Sequence, residues 1–228
     1  MGNIIDLKNL TVEYKSTNNN KIDIVRAVDN VSLSIKKGEI YALAGESGCG
    51  KSTLSKAITK LVPVKSGDIF YNGKSILNQT KEERKEYPKQ VQMVFQNPYS
   101  SLNPKMKIGD ILKEPLDINT SFSEKAKKAL INEVLKDVGL NENVVNLYPH
   151  EFSGGQRQRI AIARALILNP EFLIADLTLS RASFTAVSGK PTIDIEGKEL
   201  ITSVSTQTSY ALIPITVPVF TLFTIYKL

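Results

Sequence analysis

The sequence contains a single cysteine, Cys49, in 228 residues, and it has no secretory leader pattern. One cysteine cannot form an intramolecular disulfide, so a disulfide-stabilised secreted domain is excluded and a reducing compartment is expected. The first residues have no basic flank followed by an apolar core, and Asp6 breaks the pattern for N-myristoylation. We therefore expect an intracellular globular protein.

Long apolar runs and strongly basic patches are also scarce. The segment Tyr210–Tyr226 is uncharged, but it contains two prolines and falls short of the roughly 20 residues that a membrane-spanning helix needs. The net charge is +6 and the pI is about 9.2, yet the lysines are spread along the chain among acidic residues. We expect no direct nucleic-acid binding. With 42% hydrophobic and 23% charged residues, the composition is typical of a soluble α/β protein.

A glycine-rich loop between a strand and a helix is the most informative motif in the sequence. The apolar run Ile40–Ala44 is typical of a buried parallel strand, and the loop after it fits the G-x4-G-K-S phosphate-binding pattern. Its glycines allow tight turns with positive φ and bring backbone N–H groups close to an anion. The predicted nucleotide-binding residues are Gly45, Glu46, Ser47, Gly48, Cys49, Gly50, Lys51, Ser52 and Thr53.

The helix predicted after this loop, about Lys51–Leu61, directs the positive end of its dipole toward the phosphates. We expect Lys51 to reach the β- and γ-phosphates and the Ser52 hydroxyl to bind Mg²⁺. Thr53 is expected to have a secondary role. The pattern in this strand and helix context predicts a P-loop nucleotide-binding protein.

Three further positions follow or close predicted strands. Tyr14 closes the first strand, where it can stack on adenine or be a plain edge-strand residue. Gln96 follows the strand Val91–Phe95, and Asp176 follows the strand Phe172–Ala175. Because ligands bind outside the carboxyl ends of parallel strands, both side chains are candidate Mg²⁺ contacts. The alternatives are a solvated loop glutamine and a turn or cap aspartate.

A second candidate anion site lies at Ser153, which is a good N-cap for a helix reaching about Leu168. The predicted contacts are Ser153, Gly154, Gly155 and Gln156. Glycines beside a hydroxyl leave the first N–H groups of a helix accessible. The alternative is an ordinary capped helix with exposed arginines. Between the Gln96 loop and this helix, residues from about 108 to 147 are helical in pattern.

As an ordered set, these motifs closely resemble the nucleotide-binding subunit of ABC transporters over residues 1–176. The stretches Gln96–Pro104 and His150–Arg159 are most similar to the branch that imports dipeptides, oligopeptides or nickel. The resemblance implies an ABC-type nucleotide-binding domain at 1–176, with an N-terminal β region and a helical subdomain at about 97–165. It implies ATP and Mg²⁺ as ligands.

The resemblance also implies partners and roles. Two such subunits, identical or different, pair head to tail, and the Ser153–Gln156 segment of one closes over the ATP bound by the other. Tyr14 stacks on adenine, Gln96 senses the metal and the γ-phosphate, and Asp176 supports Mg²⁺. The loop at Gln96 contacts transmembrane permease subunits. The protein is then cytoplasmic and peripheral on the inner face of the cell membrane.

The chain departs from the family pattern directly after Asp176. The family continues with a catalytic Glu and, later, a His that contacts the γ-phosphate, whereas Leu177 follows here and the only histidine is His150. A positioned general base contributes roughly 10²- to 10⁴-fold in rate. We therefore expect this chain to bind ATP and to hydrolyse it poorly.

The tail, residues 177–228, differs in composition, since 15 of its 52 residues are Ser or Thr. We hypothesise that it arises from a frameshift, a misassembled gene or a fusion. It is expected to be β-prone or poorly ordered, with a hairpin about Gly197 and no chemical role. Because the family's remaining strands and helices are replaced, weak stability is expected.

Three functions fit these observations. The first is the ATPase subunit of an importer, and the second is a non-catalytic nucleotide-binding module or a defective truncated product. The third, a soluble ABC-type ATPase acting on nucleic acid or ribosomes, is less favoured because the Gln96 loop resembles the transporter branch.

Overall fold

The computed structural model describes residues 2–18, 21–44, 48–97, 101–177, 182–187, 190–195, 198–201 and 220–224. Within them are eleven strands: β1 (Asn3–Asn18), β2 (Lys21–Lys36), β3 (Ile40–Ala44), β4 (Ser66–Tyr71), β5 (Lys74–Ser75), β6 (Val91–Val94), β7 (Phe172–Leu177), β8 (Ala182–Val187), β9 (Lys190–Ile195), β10 (Lys198–Ile201) and β11 (Phe220–Thr224). They form an antiparallel sheet ordered β2-β1-β4-β5, a small sheet β10-β9-β8 and a central sheet β3-β11-β7-β6.

Among the described residues, five α-helices lie between these strands: α1 (Lys51–Ile58), α2 (Lys81–Gln90), α3 (Ile108–Asn119), α4 (Glu124–Asp137) and α5 (Gly154–Leu166). Short 3-10 turns at Glu142–Asn146 and Pro149–Glu151 lead from α4 to α5. Among the residues that the structure describes, no helix combines the length and the apolar character that a membrane crossing requires.

Several predicted elements differ in their limits. The helix after the phosphate loop ends at Ile58 rather than near Leu61, because Lys60 adopts a left-handed φ of 60°. The first strand extends to Asn18 through its pairing with β2. Helix α2 was not predicted, although Thr80 and Glu83 form a capping box that marks its start.

Strands β4 and β5 are antiparallel, as are β9 and β10, and the pair about Gly197 is a predicted one. Strands β4 and β5 pair across Asn72 and Gly73, which have φ values of 49° and 79°, as a tight two-residue turn requires. In the tail, β9 pairs with β10 antiparallel around Gly197, which itself lies outside the described residues. The domain boundary predicted at residue 176 stays a prediction. Strand β11, which belongs to the tail, pairs with β3 and β7 in the central sheet.

Strand β7 separates two hydrophobic cores. Its Phe172 and Ile174 pack with the antiparallel sheet and α1, whereas Leu173 and Ala175 pack with α3, α4 and α5. A strand that is covered on both faces has to be apolar throughout, which explains the unbroken run from Phe172 to Ala175. The helical layer therefore lies on one face of the central sheet, and the N-terminal β region lies on the other.

Candidate nucleotide-binding site

The carboxyl ends of β3, β6 and β7 meet at one edge of the central sheet. Strands β6 and β7 pair in parallel, with Val94 opposite Ala175. Strand β11 is antiparallel to both β3 and β7, and its Thr221 lies opposite Leu43 on one side and Asp176 on the other. The loop that follows β3, the carboxylate of Asp176 and the segment after β6 therefore emerge on the same side of the sheet. This is where open parallel sheets bind ligands.

The turn into α1 requires glycine for two different reasons. Gly48 and Gly50 have φ values of 83° and 96°, which side-chain-bearing residues rarely adopt. In addition, a Cβ on Gly50 would lie 1.9 Å from the carbonyl oxygen of Ala27 in β2, whereas a Cβ on Gly48 would meet nothing within 4 Å. Gly50 therefore allows α1 to start close against the antiparallel sheet. The predicted contacts Gly45, Glu46 and Ser47 lie outside the described residues.

Lys51 is the first residue of α1, and only 6% of it is exposed. Its Nζ donates a hydrogen bond to Sγ of Cys49 at 3.4 Å, so the ammonium group lies against the loop that precedes the helix. Among the described residues, no side chain caps α1 at Gly50. The helix dipole and the Lys51 charge thus add up at one point, which favours an anion there.

Tyr14 lies beside the same helix start. It is 40% exposed on β1, and its hydroxyl oxygen is 3.4 Å from Oγ1 of Thr53. The contact brings two predicted residues together that are 39 positions apart in the sequence. The ring is accessible next to the phosphate-loop helix, as base stacking would require. Its stacking role stays a prediction.

Asp176 and Gln96 differ sharply in burial. Asp176 is 4% exposed near the end of β7, whereas Gln96 is exposed two residues beyond the end of β6. Together with the half-buried Ser52, they supply carboxylate, amide and hydroxyl oxygens, the hard donors that Mg²⁺ prefers. The donor types and the shared sheet edge fit a magnesium ion bound between α1 and β7.

The second candidate anion site begins a helix of the other layer. Ser153 Oγ accepts a hydrogen bond from the Gln156 backbone N–H at 3.3 Å, and Gln156 Oε1 accepts one from the Ser153 N–H at 3.0 Å. This capping box confirms Ser153 as the N-cap of α5. Helix α5 packs on α3, α4 and β6, whereas α1 packs on β1, β2, β7 and β11. The two helix starts thus belong to different cores of the chain.

The arginines after Ser153 are less exposed than an ordinary surface helix would predict. Arg157 Nε donates to the Pro149 carbonyl at 2.7 Å, and Arg159 is buried with a hydrogen bond to the Val138 carbonyl. Arg157 therefore ties α5 to the 3-10 turn that precedes it, and Arg159 ties α5 to the end of α4. The alternative of exposed arginines does not describe these two residues.

Sequence reasoning missed Arg164, which joins three segments of the helical layer. Its guanidinium donates to the Ser101 carbonyl at 3.2 Å and to the Glu114 carboxylate at 3.0 Å. The three residues line a cavity of about 340 Å³ whose other walls include Phe95 and Ile118. Arg164 thus ties α5 to α3 and to the end of the loop that begins at Gln96. No local pattern signals a contact between residues 50 positions apart.

Leu177 is the last residue of β7, directly after Asp176, so an aliphatic residue stands where the family pattern has a carboxylate. The only histidine, His150, lies in the 3-10 turn before α5, where its ring stacks on Tyr148 at a centroid distance of 5.7 Å. His150 therefore belongs to the turn that leads into the helical layer.

Comparisons with known proteins agree with this arrangement. The family model described as ABC transporter matches residues 28–179. The di/tripeptide transport ATP-binding protein DppF of Pseudomonas aeruginosa is 48% identical over 152 residues, which are 67% of this chain and 47% of that protein. The oligopeptide transport ATP-binding protein OppF of Bacillus subtilis is 48% identical over 158 residues, which are 68% of this chain and 52% of that protein.

Solved structures show the same fold. The dimeric post-hydrolysis state of the ATP-binding cassette MJ0796, bound to ADP and Pi, aligns with a TM-score of 0.67 and 33% identity. The alignment covers 75% of this chain and 73% of that one. The chain spans about half the length of the curated relatives DppF and OppF that it matches.

Proposed function

The chain belongs to the ABC transporter family, and from this premise we propose that it is the ATP-binding subunit of an importer for di- or oligopeptides. The observation that carries the proposal is the meeting of the phosphate loop, Asp176 and the Gln96 segment at one edge of the central sheet. The substrate class is inferred from the names of the relatives. The sequence motifs are also compatible with nickel as the imported substrate. The nucleotide-binding domain is proposed to be residues 1–176, with its helical subdomain at about 97–165.

Phosphate binding is assigned to the start of α1. The N–H groups of the loop and of the first helical turn donate to phosphate oxygens, and Lys51 adds a full positive charge. Because Gly50 brings α1 close to Ala27, the helix start is fixed against β2 before any ligand arrives. A helix start that is held in this way binds phosphate with a smaller ordering cost than a mobile one.

Mg²⁺ would be held by Ser52 and Asp176, with Gln96 touching the ion or one of its waters. When bound, the ion neutralises phosphate charge and polarises the γ-phosphoryl group. Asp176 is already buried at the sheet edge, and Gln96 is exposed on its loop. We infer that Asp176 is a fixed part of the site, whereas Gln96 reports whether the metal and the γ-phosphate are present.

The adenine ring is proposed to stack on Tyr14, whose hydroxyl lies beside Thr53. The remaining face of the nucleotide would be closed by Ser153–Gln156 of a second nucleotide-binding subunit, either a second copy of this chain or a different one. This assignment is supported by the position of α5. Its capped and partly exposed start belongs to the helical layer, whereas α1 packs in the core of the antiparallel sheet.

The permease contact is proposed to lie at the cavity lined by Phe95, Ile118 and Arg164. Ile118 is 75% exposed, so an apolar segment of a membrane subunit would gain buried area there. The cavity borders the residues after β6, and a partner bound in it would contact the segment that carries Gln96. The chain would then be a peripheral subunit on the inner face of the cell membrane.

Hydrolysis by this chain alone is proposed to be slow, because Leu177 provides no general base. That residue favours a second candidate function, a non-catalytic nucleotide-binding module that closes on ATP with a partner. Tight MgATP binding with negligible turnover would support this second function. Turnover well above background by the pure chain would exclude it.

Binding itself is tested by Lys51→Ala, with Lys56→Ala in the last turn of the same helix as the matched control. Loss of a charge-assisted hydrogen bond to phosphate should weaken MgATP binding roughly 10- to 150-fold, measured by calorimetry. The control should bind within about twofold of the unmodified chain, because its side chain is remote from the helix start. Equal affinities for the two variants would contradict the proposed phosphate site.

A further inference from the structure

Strand β11 holds an unusual position in the central sheet. Each of its five residues pairs with both neighbours, from Phe220 opposite Ala44 and Leu177 to Thr224 opposite Ile40 and Leu173. It is antiparallel to both, whereas β3, β7 and β6 run in the same direction. A segment from the end of the tail thus lies between the strand that feeds the phosphate loop and the strand that carries Asp176.

The attachment of β3 depends on this strand. Among the strands that the structure describes, β11 is the one that pairs with β3, and it covers β3 over its whole length. The path from the phosphate loop to Asp176 therefore runs through two ladders of backbone hydrogen bonds, β3 to β11 and β11 to β7. Adjacent strands lie about 4.8 Å apart, so β11 sets a separation of roughly 10 Å between β3 and β7.

The sequence of β11, Phe220-Thr-Leu-Phe-Thr224, suits a central strand. It contains no charge, proline or glycine, and its residue types are common in strands. The next residue along the ladder from the paired Thr221 and Asp176 is Phe220, opposite the last residues of β3 and β7. The start of β11 therefore coincides with the edge at which the nucleotide site is built.

We propose that β11 is the spacer of the nucleotide site, and that the tail is needed for MgATP binding although it carries no chemical group of the site. This inference rests on the proposed function, since it concerns the same nucleotide. Without β11, strand β3, which leads into the phosphate loop, loses its hydrogen-bonded pairing in the central sheet. The distance between Lys51 and Asp176 is then no longer fixed by a hydrogen-bonded ladder.

The first test is Leu222→Pro in the full chain, with Leu222→Ala as the matched control. Proline removes a backbone donor from a strand that is paired on both sides, whereas alanine keeps the ladder. MgATP affinity should fall about tenfold or more in the proline variant relative to the alanine variant. Affinities within about twofold of each other would overturn the inference. Failure of the unmodified chain to bind MgATP would overturn the proposed function, and this inference with it.

The second test does not depend on how well the proline variant folds. With Cys49 left unchanged, Ala42→Cys is combined with Leu222→Cys, its register partner, or with Thr224→Cys as the control, and each disulfide is located by peptide mass spectrometry. Paired residues of antiparallel strands lie within disulfide reach, and a two-residue offset along the strand exceeds it. Mild oxidation should crosslink the first pair and not the second, with MgATP binding retained. No crosslink in the first pair, or equal crosslinking in both, would overturn the inference.

Discussion

Replacement of Gly50 by alanine tests the local geometry of the site without reference to any ligand. A residue with a Cβ at φ 96° adopts a left-handed conformation, which costs about 1–2 kcal/mol. The new Cβ would also lie 1.9 Å from the Ala27 carbonyl oxygen, inside any real contact distance, so the start of α1 or strand β2 has to move. Overpacking of this kind costs about 1–3 kcal/mol more. We expect Gly50→Ala to destabilise the chain by about 2–5 kcal/mol.

Gly73→Ala is the matched control for this prediction. Gly73 has a φ of 79°, and a Cβ at this position would meet no atom within 4 Å, so alanine there has the backbone cost without the overlap. Urea unfolding of both variants should show a loss about 1–3 kcal/mol larger for Gly50→Ala. Equal losses within about 0.5 kcal/mol would refute the reasoning, because the close approach of α1 to β2 would then have no energetic consequence.

Two further predictions concern stability. Phe172→Ala should lower the free energy of unfolding by about 3–5 kcal/mol, because the fully buried ring is lost from the core beside β7. Phe95 is 41% exposed, so the control variant Phe95→Ala should cost about 1 kcal/mol or less. Equal losses in urea unfolding would contradict this packing. The pKa of Asp117 is held low by the hydrogen bond from Lys127, and that of Glu124 by the hydrogen bond from Lys113. Carboxylates whose pKa is lowered in the folded state stabilise that state above about pH 4, and this contribution is lost as the pH falls. Asp117→Asn should therefore reduce the loss of folding stability between about pH 6 and pH 3. An unchanged loss would contradict the role of these ion pairs.

Short motifs were predictable because their physics is local. The phosphate loop needs left-handed backbone at fixed spacing before a helix, and the structure confirms positive φ at Gly48 and Gly50. The capping box at Ser153 also lies within four residues, and the structure confirms it. Helix α2 was not predicted, although Thr80 and Glu83 form a capping box as well. Its sequence is polar and lacks the apolar stripe that indicates an amphipathic helix.

Longer-range contacts were not predictable in the same way. Arg164 reaches Glu114 and the Ser101 carbonyl across 50 and 63 positions, and a pair of this kind has no sequence period. The burial of Asp176 likewise depends on the layers that cover both faces of β7. The pairing of Tyr14 with Thr53 requires the antiparallel sheet to lie against α1.

By itself, the sequence determined the family resemblance, the strand and helix that flank the phosphate loop, and the loss of the family pattern after Asp176. Each of these is written in residue types at short, fixed spacings. Only the tertiary structure decided that the tail contributes β11 and that this strand lies between β3 and β7. Strand pairing depends on whether a neighbouring strand has an unpaired edge and on whether an apolar segment can reach that edge. Neither condition can be read from the local sequence. A segment that contains none of the predicted site residues thereby lies in the sheet whose edge carries the candidate nucleotide site.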